Sequence, residues 1–396
     1  MANLMNYLVW RGEFGFDPAP WNEVDALALS NLCYLNFHGI GDERGWTIAE
    51  ARRLDLLEET EVSNFAGRKA LYEAMADTHR FGSVRMHHFL AVTDEKQELQ
   101  FSATCYDMPD GTLCIGFRGT DGTLVGWRED FNMSWQNSVP AQEGALFYLE
   151  KAAEMDQRPI RTGHSKGGNL AAYAAARCSP DIQDRLIAVY SFDGPGMDPE
   201  VFQSEGYQRI EGKIHSFVPQ TSIVGMMMEY HRKYTVVKSD VSGFGQHDPL
   251  TWRVYGSGFE TVDKIDDNAQ TISDTLHEWL HKTRREDRAE MVDTLFSVLE
   301  NTRATTLKEM KGDRLRTLTG VALGTRELDP ASRKAVTKLV GLFLSLGFGN
   351  LTERYRQKIL ENRLEKKDKQ EKVPEPVPKT EGEAGTGPEE EPEIKA

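Results

Sequence analysis

Residues 162–168, Thr-Gly-His-Ser-Lys-Gly-Gly, form the stretch around which the rest of the chain is organised. An extended run from Arg158 to Ile160 precedes this stretch, and the alanine-rich segment 169–176 follows it. A serine in Gly-x-Ser-x-Gly between a strand and a helix is typical of a nucleophile elbow, which exposes the serine hydroxyl on a sharp turn. Glycines flank the serine because a Cβ atom there would strike neighbouring backbone. The pattern predicts that Ser165 is a nucleophile, and the alternative is an ordinary glycine-rich turn.

The composition is that of a globular protein with an acidic surface. Of 396 residues 39% are hydrophobic, and 47 lysines and arginines against 62 aspartates and glutamates give a net charge of -15. Such a field repels phosphate backbones, so we expect no nucleic-acid partner. Residues 1–7 have neither the cationic start nor the apolar core of a signal peptide. The longest apolar run, 339–351, is interrupted by glycines and is shorter than the roughly 20 residues of a membrane helix. We expect a cytoplasmic protein without a transmembrane segment.

The four cysteines, Cys33, Cys105, Cys114 and Cys178, lie far apart and form no Cys-x-x-Cys pair. Without that spacing or a secretory context, neither a zinc site nor a disulfide is favoured. We expect free buried thiols, no metal and no cofactor.

Strand-like runs begin after Gly82 and alternate with helical runs as far as about Gly258. The predicted strands cover 86–92, 99–106, 112–117, 158–160, 186–192, 213–218 and 234–238. Strands that alternate with helices predict a mostly parallel sheet covered by helices on both faces. Before Gly82, helical patterns over 21–37, 54–59 and 67–77 predict a helical N-terminal arm.

The pattern of apolar residues and the local composition divide the chain into three regions. Beyond Gly258, the spacing of apolar residues over 265–280 and 292–299 predicts amphipathic helices, and Asp329-Pro330 is typical of a helix start. From Arg363 the chain is mostly Lys, Glu, Pro and Gly, which predicts a disordered acidic tail. We therefore expect three regions. They are an α/β domain that includes the helical N-terminal arm (1–258), a helical C-terminal region (259–362) and a tail (363–396).

A glycine-containing loop, Phe117-Arg118-Gly119-Thr120-Asp121-Gly122, follows the third predicted strand. The carboxyl ends of strands are where α/β sheets bind ligands. In an acyl-transfer site, one oxyanion donor is the backbone N–H of the residue after the nucleophile, here Lys166, and a second comes from this loop. Thr120 is the candidate, through its N–H and its hydroxyl. Taken alone, the loop also fits a β-turn that uses its glycines.

A nucleophilic serine needs a histidine base and a carboxylate that orients the histidine. In α/β-hydrolases the chain order is serine, acid, histidine. His247 lies in a loop after the last predicted strand, so it is the candidate base, and a surface-loop histidine is the alternative. The other histidines after Ser165 lie in a predicted strand, a charged segment or the C-terminal helices: His215, His231, His277 and His281.

Asp193 is the candidate acid because it follows the strand after the elbow, at the carboxyl edge of the sheet. Asp-Gly also favours a turn, so Asp193 could equally be a turn residue. The end of the next strand, 218–223, contains no carboxylate. Asp198 and Asp248 remain as reserve candidates.

These motifs together resemble the class 3 (fungal-type) lipases, and resemble more closely a family of uncharacterised bacterial lipase-like α/β-hydrolases. The resemblance covers residues 1–258 and rests on residues 117–120, residues 163–168 and the His247 loop. The bacterial family also shares residues 6–8, 10–12 and 25–27. It implies an α/β-hydrolase fold and carboxyl-ester hydrolysis, with Ser165 as nucleophile, His247 as base and Thr120 at the oxyanion hole.

The chain departs from the class 3 pattern at two places. Lys166 stands where class 3 lipases usually carry leucine, which changes the side chain but keeps the N–H. Thr221 and Ser222 stand in the stretch where those lipases place their aspartate. This leaves either Asp193, at the position used by pancreatic-type lipases, or an impaired triad.

The leading hypothesis is a serine hydrolase that acts on a small-molecule or lipid acyl ester. A thioesterase or acyltransferase would use the same serine. A hypothesis of a different class is a catalytically impaired scaffold, which binds a protein partner through the helical C-terminal region and the tail.

Overall fold

The computed structural model describes residues 2–42, 44–153, 159–228 and 233–326, together with 328, 330, 333, 336, 337 and 340. Its strands are β1 (Asn36–Phe37), β2 (Trp46–Thr47), β3 (Leu57–Glu58), β4 (Arg85–Asp94), β5 (Leu99–Asp107), β6 (Leu113–Phe117), β7 (Pro159–His164), β8 (Ala188–Phe192), β9 (Ile214–Pro219), β10 (Thr235–Val237), β11 (Val254–Tyr255), β12 (Gly258–Phe259) and β13 (Thr261–Val262).

The helices are α1 (Leu4–Arg11), α2 (Glu23–Leu32), α3 (Ile48–Arg53), α4 (Phe65–Ala76), α5 (His79–Gly82), α6 (Leu124–Asn132), α7 (Pro140–Ala152), α8 (Lys166–Arg177), α9 (Pro180–Arg185), α10 (Pro199–Gln203), α11 (Glu205–Ile210), α12 (Asp267–Lys282), α13 (Arg285–Glu300), α14 (Leu307–Gly312) and α15 (Arg314–Gly324). Short 3-10 helices cover Glu211–Lys213, Val224–Met226, Gly243–His247 and Pro249–Thr251.

A sheet of nine strands forms the centre of the described part of the chain, in the order β13-β10-β9-β8-β7-β6-β5-β4-β2. The central strands β6 to β10 pair in parallel, whereas β5, β4 and β2 at one edge and β13 at the other pair antiparallel. Strands β6 and β8 are buried along their whole length, as parallel strands covered on both faces are. The prediction of a mixed α/β fold with a mostly parallel central sheet is confirmed.

Two apolar cores lie on opposite faces of this sheet, since side chains alternate along a strand. On β6, Cys114 belongs to the core that contains α2 residues such as Leu27, and its neighbour Ile115 belongs to the core of α7 and α8. Helix α8 is buried from Lys166 to Ala176, and its alanines are small enough for close packing against the sheet.

The C-terminal helices α13, α14 and α15 share a third core with α6. This core contains Phe296 and Leu299 of α13, Leu124 of α6, and the half-buried Phe131. The backbone also connects the two regions, because Leu124 N–H donates to the Thr305 carbonyl at 2.9 Å. Helix α6 begins two residues after the loop 117–122, so the C-terminal helices pack directly behind that loop.

Several local predictions were wrong or incomplete. Residues 54–59 were predicted to be helical, but α3 ends at Arg53 and Leu57–Glu58 pair with β1. Strands continue beyond Gly258, because β13 adds to the sheet edge beside β10. Helix α6 was not predicted. The helix start at Asp329 and the tail 363–396 lie outside the described residues. In the described ranges, none of the helices has both the length and the apolar run required to cross a bilayer.

Candidate active site

Ser165 lies at the turn between β7 and α8, with φ 57° and ψ -133°. This is a sparsely populated region for a residue with a side chain, and such strain is concentrated at functional sites. The flanking glycines permit the turn by their lack of a Cβ atom. A Cβ on Gly163 would lie 2.1 Å from the Gly167 carbonyl oxygen, and one on Gly167 would lie 2.1 Å from the Phe117 carbonyl oxygen. The elbow therefore packs directly against the end of β6.

A chain of hydrogen bonds connects Ser165, His247 and Asp193. Ser165 Oγ lies 3.0 Å from His247 Nε2, and His247 Nδ1 lies 2.6 Å from Asp193 Oδ2. The three residues come from the elbow, from the 3-10 helix Gly243–His247 and from the end of β8. The parallel register aligns these strand ends, with His164 opposite Phe192 and Phe192 opposite Phe217. The structure thus brings together the three residues that the sequence singled out.

The carboxylate of Asp193 is fully buried and bonded at both oxygens. Oδ2 faces His247, while Oδ1 accepts hydrogen bonds from Ser222 Oγ at 2.5 Å and from the Gly225 N–H at 3.0 Å. Burial of a carboxylate is expensive unless such partners compensate it. Ser222 lies in the stretch without a carboxylate, so this stretch supplies a donor to Asp193 instead of an acid.

His164, the residue before Ser165, supports His247 from behind. Its Nε2 lies 2.7 Å from the His247 carbonyl oxygen, its Nδ1 lies 2.8 Å from the Tyr34 hydroxyl, and the two histidine rings have centroids 4.6 Å apart. Burial, and then the neighbouring His247, hold the pKa of His164 well below its usual value. His164 is therefore neutral and donates through Nε2, which fixes the backbone of His247.

The loop 117–122 lies against the elbow. A Cβ on Gly119 would lie 2.6 Å from the His164 carbonyl oxygen, which places the next residue, Thr120, beside the start of α8. Among the described residues, the backbone N–H groups of Thr120 and Lys166 have no hydrogen-bond acceptor. The loop and the start of α8 thus each present one backbone donor without a protein acceptor.

The Lys166 side chain is buried beneath the site, where it forms an ion pair that sequence reasoning missed. Its Nζ donates to Glu129 Oε2 and to the Gln100 carbonyl oxygen, each at 2.8 Å. Beside this pair, Thr120 Oγ1 donates to Asp130 Oδ2 at 2.5 Å, and burial raises the pKa of Asp130 to about 6. The signal in the sequence was the lysine itself, because a lysine at the buried start of a helix needs an anionic partner.

Among the described residues, neither reserve acid forms a hydrogen bond with the His247 ring. Asp198 caps α10 and pairs with Arg285. Asp248 accepts a hydrogen bond from Asn64 Nδ2 at 2.7 Å. His215 stacks on Tyr190 along the sheet, His277 and His281 lie on α12, and His231 is outside the described residues.

Three solved lipases are similar to part of the chain. M37 lipase is 18% identical to this chain with a TM-score of 0.34, and the match covers 52% of this chain and 70% of the lipase chain. The lipase of Rhizomucor miehei, in its propeptide complex, is 17% identical with a TM-score of 0.31, and the match covers 51% of this chain and 67% of the lipase chain. A triacylglycerol lipase from Penicillium expansum is 12% identical with a TM-score of 0.27, and the match covers 44% of this chain and 75% of the lipase chain. At these identities and TM-scores the likenesses carry no argument about activity.

No curated protein matches the chain. The Mbeg1-like family matches it over residues 75–297, a range that runs from the end of α4 into α13 and includes the elbow, Asp193 and His247. Because this match covers more than half of the sequence, the chain belongs to the Mbeg1-like family.

Proposed function

We propose that this protein is a serine hydrolase that cleaves carboxylic esters through an acyl-enzyme formed on Ser165. The observation that carries the proposal is the unbroken chain from Ser165 Oγ through His247 to the buried carboxylate of Asp193, with distances of 3.0 and 2.6 Å. A serine, a histidine and a carboxylate in this geometry are the machinery of acyl transfer on several unrelated folds.

In this mechanism Ser165 Oγ attacks the ester carbonyl carbon while His247 Nε2 takes the hydroxyl proton. Asp193 holds the ring so that Nε2 is the unprotonated nitrogen, and its charge stabilises the imidazolium that forms. His247 then gives the proton to the departing alkoxide, which leaves as an alcohol. Water enters, His247 removes its proton, and attack on the acyl-enzyme releases the carboxylic acid and regenerates Ser165.

The oxyanion of each tetrahedral intermediate is stabilised by the N–H groups of Thr120 and Lys166. These donors are held in place before the reaction, Lys166 by α8 and Thr120 through its hydroxyl bond to Asp130. Loss of one such donor typically lowers turnover by ~10²–10³. The Lys166 side chain does not touch the substrate in this mechanism, since it is buried against Glu129.

Labelling with a fluorophosphonate probe tests the proposal, because the probe reacts only with an activated serine. We expect the wild-type protein to be labelled and to hydrolyse short and long acyl esters of p-nitrophenol. Ser165→Ala should abolish labelling and lower turnover by ~10⁶, the loss seen when the nucleophile of another serine hydrolase is removed. Both proteins should give the same far-UV circular dichroism spectrum.

A matched control is Ser191→Ala. Ser191 is buried, two residues before Asp193, and its hydroxyl has no hydrogen-bond partner among the described residues. This variant should keep both labelling and hydrolysis. Equal hydrolysis by wild type and Ser165→Ala would reject the proposal, and a panel that includes thioesters would identify a thioesterase by its preference.

A further inference from the structure

A second group of reactive side chains, away from Ser165, consists of His87, His88 and Cys105. His87 on β4 and Cys105 on β5 are directly opposite each other in the sheet. One ligand atom from each of the three side chains lies within 4.8 Å of the others, and His87 Nδ1 lies 2.5 Å from His88 Nδ1. His87 and Cys105 are buried and His88 is half-buried. Two imidazoles and a thiol therefore converge on one point inside the protein.

This convergence depends on an irregular backbone. Neighbouring residues of a regular strand point to opposite faces, so His87 and His88 would normally diverge. The register of β4 shifts between His87 and Leu90, and His88 has φ 51°, in the left-handed region. A residue with a side chain in that region is strained, and the strain persists only where the surroundings enforce it. The Tyr148 hydroxyl donates to the His88 carbonyl oxygen at 2.8 Å and helps to hold the bulge.

The donor atoms are those of a transition-metal site. Thiolate and imidazole are the ligands that Zn²⁺ prefers in proteins. Two ring nitrogens that face each other at 2.5 Å repel each other through their lone pairs unless a proton or a cation lies with them. Burial of His87 and partial burial of His88 limit the water that would otherwise screen this repulsion.

Asp107 lies behind His87 as an outer partner does behind a metal-binding histidine. The Oδ1 atom of Asp107 is 3.1 Å from His87 Nε2. This oxygen lies off the direction of the N–H bond, so the buried Nε2 atom has no aligned hydrogen bond among the described residues. A carboxylate on the far nitrogen of a histidine ligand orients the ring and increases its basicity. A turn of the His87 ring changes both this alignment and the distance between the two Nδ1 atoms.

We propose that His87, His88 and Cys105 bind one Zn²⁺ ion through Nδ1, Nδ1 and Sγ, with a water molecule as the fourth ligand. Cys105 binds as a thiolate, so its proton is released to solvent when the metal enters. Zinc–nitrogen bonds of about 2.0–2.1 Å at tetrahedral angles require the two Nδ1 atoms to stand about 3.3 Å apart, so the rings separate by a little under ~1 Å. The ion connects β4 to β5 and stabilises the bulge, and its role is independent of the chemistry at Ser165.

Metal binding to the full-length protein, stripped with a chelator and then dialysed against Zn²⁺, tests this site. We expect one zinc per chain by elemental analysis. Co²⁺ in place of zinc should give a thiolate-to-metal charge-transfer band, which reports a cysteine ligand directly. Cys105→Ser should abolish the band and weaken zinc binding at least ~100-fold, while Asp107→Asn should weaken it ~10–100-fold, as loss of an outer partner does.

The controls separate this site from other zinc binding and from misfolding. Cys114→Ser makes the same change at a buried cysteine on the opposite face of the sheet, and it should keep both the band and the affinity. His88→Asn should lose the site while it keeps the fold, because asparagine tolerates the left-handed backbone. No stoichiometric zinc, zinc without the charge-transfer band, or unchanged binding in both Cys105→Ser and His88→Asn would each overturn the proposal.

Discussion

At the scale of single residues, Asp193 is the position where the proposed catalytic triad and the fold depend on the same atoms. The end of β8 turns sharply there, with φ 49° at Asp193, a backbone region that aspartate tolerates better than most residues. The turn places one carboxylate oxygen against His247 and the other against Ser222 and Gly225. A carboxylate held by donors on both oxygens has little freedom to rotate, so it can fix the orientation of the imidazole.

We predict that Asp193→Asn lowers turnover by ~10⁴ and leaves the fold intact. Asparagine has nearly the same shape, but its amide NH₂ in place of Oδ2 would favour the wrong imidazole tautomer and would carry no charge to stabilise the imidazolium. The measurement is kcat on a p-nitrophenyl ester together with the thermal unfolding curve. Asp248→Asn, on the residue that follows His247, is the matched control and should keep kcat within a few-fold. A kcat for Asp193→Asn within tenfold of wild type would remove Asp193 from the mechanism.

The sequence was sufficient to predict that Ser165, Asp193 and His247 would lie together, because chain order and position at strand ends are properties of the sequence. The residues that support them were not predictable in the same way. Tyr34 reaches His164 across 130 positions of the chain, a contact that exists only once α2 has packed on the sheet. The bond from Ser222 to Asp193 had a weaker signal in the sequence. Ser222 follows β9, which lies beside β8, so its position near Asp193 could be expected, but its role as a donor could not.

At the scale of secondary-structure elements, the buried Lys166–Glu129 pair connects the start of α8 to three neighbouring elements. Lys166 is the first residue of α8 and Glu129 lies on α6. The same carboxylate accepts hydrogen bonds from the N–H of Gln100 on β5 at 3.0 Å and from the N–H of Ala141 on α7 at 2.7 Å. Both ends of the pair are therefore compensated, as a buried ion pair requires.

We predict that Lys166→Met lowers the free energy of unfolding by about 3–5 kcal/mol, because it leaves the Glu129 carboxylate buried without its cation. Methionine keeps the backbone N–H, so kcat of the folded variant should stay within about tenfold of wild type. Urea unfolding and kcat, both at pH 7, measure the two effects separately. Lys69→Met, on an exposed lysine of α4, should change stability by less than about 0.5 kcal/mol. A stable Lys166→Met variant with greatly reduced kcat would instead assign the side chain a direct part in catalysis.

At the scale of the whole molecule, the C-terminal helices are part of the structure that supports the candidate active site. The sequence predicted helices there, but it could not predict their contact with the loop after β6. That contact is an isolated bridge between Thr123 and Thr306, supported by ion pairs from Arg128 of α6 to Asp293 and Glu300. A partner that binds the C-terminal helices would therefore act on the segment that follows Thr120.

The last prediction asks whether the C-terminal helices unfold together with the part built on the central sheet or as a separate domain. Phe296 of α13 is 2% exposed and packs edge-to-face on Phe131 of α6, with ring centroids 5.8 Å apart. Phe296→Ala leaves a cavity in the shared core and should lower the free energy of unfolding by about 3–5 kcal/mol. Because that core belongs to both regions, we expect a single unfolding transition, in which loss of ester hydrolysis and loss of helical circular dichroism shift together to lower temperature. Leu315→Ala, at a leucine of α15 that is 78% exposed, should leave the transition where it is. Phe296→Ala could instead split the transition, with hydrolysis lost at the wild-type temperature and part of the helical signal lost at a lower temperature. The C-terminal helices would then be an independent domain that only touches the loop 117–122.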